Sequence, residues 1–146
     1  MIINNPAFVK LTTMKTSEPT AWERGYYETY RLTVAIPAVR LHPRNTPRNI
    51  VRANDGRLIG VWFGVDRYHD RVAAYKRKMA LINPAEEADS YVLQPGGVFN
   101  VGIAAPQQLV SGGAWQFEYV SEQWPQHQPL HNEHMANVSG HAGIPL

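Results

Sequence analysis

The sequence contains no cysteine, which excludes disulfides, thiolate nucleophiles and cysteine-ligated zinc. It has no lysine or arginine after Lys78. No window approaches the roughly 20 apolar residues of a membrane-spanning helix. The opening "MIINNPAFVKLTTMKTSEPT" lacks the basic start and unbroken apolar run of a secretory signal. The expectation is therefore a soluble chain made in the cytoplasm. Long helical patterns are scarce as well. Eleven prolines and eleven glycines are spread through the chain, and Pro removes a backbone donor while Gly weakens helix interiors. That balance favours short strands joined by turns.

What is present is enough for one domain: 146 residues, 44% of them hydrophobic. The net charge of +2 conceals a division. Residues 1–78 carry all 14 Lys and Arg and six acids, a net of +8; residues 79–146 carry the other six acids, a net of −6. Such halves neutralise each other within one chain or guide the association of neighbouring copies.

Residues 1–25, punctuated by Pro6 and Pro19, read as an extended arm. In "YYETYRLTVAI", Tyr30, Leu32, Val34 and Ile36 alternate with Arg31 and Thr33, the period of a half-buried strand, and Pro37 closes it. "NIVRA", a turn at Asn54-Asp55-Gly56 and "RLIGVWFGV" read as a hairpin, with Val61, Phe63 and Val65 on one face. Residues 70–82 are the helix candidate, capped by Asp70, with Val72, Tyr75, Met79 and Ile82 at helical spacing. "YVL", Pro95-Gly96-Gly97 and "VFNVGI" give a strand, a turn and a strand bearing Phe99, Val101 and Ile103. In "AWQFEYV", Trp115, Phe117 and Tyr119 alternate with Gln116 and Glu118. The pattern predicts a mainly β chain: an antiparallel β-sandwich or jelly-roll-like domain over 26–123 with one inserted helix, an N-terminal arm at 1–25 and a C-terminal arm at 124–146. The latter carries Trp124, Leu130, Met135, Ile144 and Leu146, apolar residues that read as an interface with a neighbour.

Reactive constellations are thin. His127, His131 and His134 fall at i, i+4 and i+7, but Pro129 interrupts the helix that would align them, so a polar interface arm is expected rather than a metal centre. Asp66, His69 and Asp70 read as a strand end and a helix cap before acid–base groups. No Gly-x-Ser-x-Gly elbow is present, and Ser111 stands in a plain glycine turn. Arg71, Lys76, Arg77 and Lys78 offer cations to phosphate, yet no nucleic-acid-binding motif accompanies them, so a solvated helix face is expected. Pro95-Gly96-Gly97 lacks the Lys-Ser/Thr and following helix of a phosphate loop. Trp62, Trp115 and Trp124 suit core, interface or a sugar-stacking surface. The reading assigns no catalytic residue, cofactor, metal ligand, nucleic acid or membrane.

From Asn49 to Gln123 the layout resembles the small β-sandwich proteins of phage virions that decorate or cement capsids or fill vertices. Leu93, Pro95, Gly96 and Phe99 occupy the first turn pattern of that group, and Gly112, Gly113 and Phe117 the second. The resemblance covers about half the chain. It implies a non-enzymatic structural component of a viral particle, made in the host cytoplasm and located in the virion, whose partners are other capsid subunits and further copies of itself. A carbohydrate-binding β-sandwich lectin is the alternative.

Overall fold

The computed structural model describes residues 3–42, 51–52, 54, 58–64, 87–106, 112–120, 135–137 and 144–145. These form β1 (Phe8–Leu11), a 3-10 turn (Pro19–Ala21), β2 (Trp22–Leu32), β3 (Ile36–His42), β4 (Val51–Arg52), β5 (Leu58–Ile59), β6 (Trp62–Gly64), β7 (Glu87–Leu93), β8 (Val98–Ala104), β9 (Trp115–Tyr119), β10 (Met135–Asn137) and β11 (Ile144–Pro145). Nine strands make one antiparallel sheet, ordered β1-β2-β8-β9-β6-β3-β7-β10 with β11 also on β7. β4 and β5 pair apart from it. The chain is mainly β, as its alternation and turn residues predict.

The short connections require this sheet to curl. β2 and β3 lie four places apart in the sheet, about 19 Å if it were flat at ~4.8 Å per strand. Only residues 33–35 join them, and four Cα steps reach at most about 14 Å. The sheet therefore curls until β2 and β3 approach each other. β7 and β8, also four places apart, are joined by residues 94–97. That loop is tied to β2, because Leu32 N–H donates to Gly97 O at 3.0 Å and Gly96 N–H donates to Leu32 O at 2.8 Å.

The face enclosed by the curl is the core: Tyr30 and Leu32 of β2, Ala38 of β3, Val61 and Phe63, Tyr91 and Leu93 of β7, Phe99 and Val101 of β8, and Phe117 and Tyr119 of β9. Ring contacts run across it, with Phe63 edge-on to Tyr91 at 5.0 Å and Phe99 edge-on to Phe117 at 6.0 Å. Phe8 of β1 reaches Phe117, three strands away, at 6.1 Å. Each large apolar side chain among them, such as Leu32, Phe63 or Phe99, contributes about 1.5–3 kcal/mol from burial.

Several local expectations change. The strand containing Tyr30 ends at Leu32, and Val34 sits exposed in the turn to β3. Pro37 lies inside β3, opposite Val92, instead of closing a strand. The hairpin after Asn49 forms between β4 and β5, with Val51 opposite Ile59. Gly60, at φ +88°, then breaks "RLIGVWFGV" so that its second half, β6, joins the large sheet. Within residues 1–25, β1 is a full member of that sheet and β2 begins at Trp22. Residues 70–82, the helix candidate, lie outside the described residues.

Candidate functional site

The outer face of β2, β8 and β9 carries a buried polar cluster. β8 and β9 pair Asn100 with Glu118, and β2 places Thr29 beside Asn100. Strand alternation points all three away from the aromatic core, yet Thr29, Asn100 and Glu118 are fully buried. The segment leading from β1 to β2 covers them. Thr16 donates its hydroxyl to Glu118 Oε1 at 2.8 Å, and Ser17 donates its N–H and its hydroxyl to Oε2 at 2.9 and 2.5 Å. Asn100 Nδ2 donates to Oε1 at 3.0 Å, so each carboxylate oxygen receives two donors. The strap is fastened further along by Met14 N–H donating to Thr29 Oγ1 at 2.8 Å and by Gln116 Nε2 donating to Ala21 O at 2.8 Å. A buried carboxylate is tolerated where its lone pairs are all answered in this way.

Trp22 closes the strap. Its indole N–H donates to Thr16 Oγ1 at 2.9 Å, and its ring stacks on Tyr27 at 5.2 Å and meets Trp62 at 5.3 Å. Gly102 lies directly beneath, where a Cβ would come within 2.7 Å of Trp22 Cε3. The bare backbone is what lets the indole lie flat on the sheet.

Two further clusters belong to the core face. Glu28 forms an ion pair with Lys10 across the β1–β2 ladder at 2.8 Å and accepts the Tyr30 hydroxyl at 3.2 Å. The same hydroxyl accepts Ile3 N–H at 2.9 Å, which anchors the start of the chain. Burial pushes the Glu28 carboxyl up, but the hydrogen bonds from Lys10 and Tyr30 and the Lys10 charge outweigh it and hold the pKa below the usual carboxylate value. The hydrogen bond and charge of Glu28 raise Lys10 in turn, and burial raises Tyr30. At the other end of the fold, Arg40 stands opposite Asp89 in the β3–β7 ladder. Its guanidinium lies 5.4 Å from the Tyr91 ring centroid and donates to Gly60 O at 2.9 Å. Burial lowers the Arg40 pKa, against the opposing pull of Tyr91 and Asp89.

What faces solvent is different in kind. Between Trp22, opposite Ala104, and Tyr27, opposite Gly102, β2 contains four residues where β8 contains one. These four, Glu23, Arg24, Gly25 and Tyr26, form the bulged stretch of the ladder. Arg24 at φ +56° and Gly25 at φ +69° are both left-handed, and Arg24 is the non-glycine residue in that region among those described. An arginine there costs roughly 1–2 kcal/mol. Ile103, the β8 residue that faces the bulge, pairs with Trp115 on β9. Tyr26 is 48% exposed and Trp115 39% exposed.

The interface residues expected from the sequence are divided. Met135 and Ile144 lie on β10 and β11, which pair with β7 of the same chain opposite Leu93 and Ala88. Trp124, Leu130 and Leu146 lie outside the described residues, as do His127, His131, His134, Asp66, His69, Asp70, Ser111 and the cationic stretch at 71–78. Of the tryptophans, Trp115 is exposed, Trp62 half-buried, and Trp22, unremarked in the sequence, buried. Alternation around Glu118 shows which face it takes but carries no signal for the strap that buries it. Positive φ at Arg24 has a faint signal in the Arg-Gly pair.

No protein-family model and no curated protein matches the sequence. Among solved structures, a chain in the structure of Tne2 in complex with Tni2 is similar, with a TM-score of 0.59 and 13% sequence identity. The similarity covers 86% of this chain and 99% of that one, and it is a likeness of fold.

Proposed function

We propose that this chain acts by binding other proteins and not by transforming a substrate. The observation that carries this reading is the contrast between its buried and exposed groups. Glu118 and Glu28 hold the chain's own segments together, whereas Tyr26 and Trp115 are open to solvent beside a strained arginine. Tyr, Trp and Arg are the residue types on which protein interfaces concentrate their energy. A chain of similar fold is also found in a two-protein complex, Tne2 with Tni2.

The setting we propose is a viral particle, with the chain as a capsid-decorating or vertex protein of a phage, assembled in symmetric copies and contacting other capsid subunits. The body of such a component is a β-sandwich or jelly roll with one inserted helix, and a curled antiparallel sheet around one aromatic core supports that reading. Divided charge supports repeated contacts between subunits. The test is co-sedimentation of the purified chain with preformed phage capsids. Saturable, stoichiometric binding is expected; a chain left in the supernatant at every concentration argues against a place on the particle.

A second reading, a carbohydrate-binding domain, is favoured by the exposed Trp115 and Tyr26 alone. Glycan-array binding with quenching of tryptophan fluorescence would establish it.

A further inference from the structure

Residues 3–22, which comprise β1 and the strap, fold back as one segment on the rest of their own chain. The sheet holds the strap through side chains that read its backbone. Thr29 accepts Met14 N–H at 2.8 Å, Tyr27 donates its hydroxyl to Met14 O at 3.0 Å, and Gln116 donates to Ala21 O at 2.8 Å. β1 adds the Lys10–Glu28 pair and the Phe8 ring against Tyr30 and Phe117. Every one of these partners follows the bulge in sequence. Residues 3–22 of a second copy can therefore make the same contacts, with the bulge as the stretch that must change.

The bulge favours that change. Glu23, Arg24, Gly25 and Tyr26 are all exposed. At Gly25 a Cβ would meet nothing within 4 Å, so the backbone there stands clear of the body. The closed chain sets these four residues opposite one residue of β8 and holds Arg24 at φ +56°, a backbone that L side chains disfavour. Extended, the same residues would prolong β2 and carry the segment to a neighbour, with Arg24 in ordinary backbone. Strained hinges of this kind invite exchange of an identical element between copies, in a two-fold arrangement that reproduces each contact of the closed chain.

We propose that residues 3–22 exchange between two copies of this chain, with residues 23–26 as the hinge, to give a swapped dimer. Exchange is independent of the capsid reading, which co-sedimentation judges separately, because it follows from contacts within the chain. The test is to unfold the full chain in urea, refold it at high and at low protein concentration, and measure its mass by light scattering. Wild type is expected to yield a dimer at high concentration that returns only slowly to monomer on dilution. Gly25→Ala strains the closed form without a clash and should raise the dimer-to-monomer ratio about tenfold; Arg24→Gly relieves the strain and should lower it about tenfold. The chain has no cysteine of its own. Val9→Cys and Arg31→Cys, opposite each other in the β1–β2 ladder, therefore report whose β1 lies on whose β2. Mixed before refolding, these two single variants should form an interchain disulfide in the dimer. A wild-type chain that refolds only to monomer overturns the proposal. So does a dimer without that disulfide, or one whose amount moves the same way in Arg24→Gly and Gly25→Ala.

Discussion

Thr16 and Glu118 are 102 residues apart in sequence and joined by a buried hydrogen bond of 2.8 Å. The strap from β1 to β2 is thereby fixed to β9, and Glu118 is the one side chain that Thr16, Ser17 and Asn100 all address. Glu118→Ala removes the acceptor for four donors and leaves those of Thr16 and Asn100 buried and those of Ser17 half-buried. The expected cost is about 3–5 kcal/mol, the range for breaking a buried charged network. Glu118→Gln keeps one carbonyl oxygen but turns an amide toward some of the same donors, and about 1–3 kcal/mol is expected. Urea denaturation should order the three proteins wild type, Gln, Ala. Equal stability of all three would mean that the strap is held by Trp22 packing alone.

Gly102 makes a sharper steric case. A methyl group there meets Trp22 Cε3 at 2.7 Å and the Tyr26 carbonyl oxygen at 2.9 Å. The ring is wedged between Tyr27 and Trp62 and tethered to Thr16, so it has little room to withdraw. Gly102→Ala should cost about 1–3 kcal/mol, as overpacking does. It should also alter the near-ultraviolet circular dichroism of the Trp22 environment. An unchanged spectrum with unchanged stability would show that the strap floats on the sheet.

These sites also mark how far the sequence could be read. Alternation assigns Tyr30, Leu32, Phe99, Val101, Phe117 and Tyr119 to one face, and all six are buried together. It sets Gln116 and Glu118 on the opposite face, and they too are buried, at 5% and 1% exposed. Period two reports which residues share a face; it is silent on whether a distant segment later covers the other face. Val34 keeps the phase of the β2 alternation but falls in the turn, because phase does not tell where a strand stops. Order within the sheet was hidden for a similar reason. "YVLQPGGVFNVGI" reads equally as a hairpin or as an arch, and the structure makes it an arch from β7 to β8 over the core. Arg24 left only the faint signal of its Arg-Gly pair, because left-handed backbone at a non-glycine residue contradicts its own propensity.

The Glu28–Lys10 pair gives a pH dependence whose sign can be worked out. Glu28 has a lower pKa folded than unfolded, since its partners favour the charged form. Its contribution to stability is therefore present above the unfolded value, about pH 4.3, and is lost as pH falls through the lower folded value. Lys10 has a higher pKa folded than unfolded. Its contribution is present below about pH 10.4 and is lost as pH rises through the higher folded value. The pair thus stabilises across the intervening window and fades at both ends. Glu28→Gln should flatten the acid limb, and Lys10→Met should weaken both limbs while leaving Glu28 buried without its cation. Because the Lys10 side chain is 51% exposed, its own limb should be shallow and should shrink further in high salt. Denaturant midpoints measured from pH 3 to 11 test this, and an acid limb as steep in Glu28→Gln as in the wild type would assign the dependence to another carboxylate.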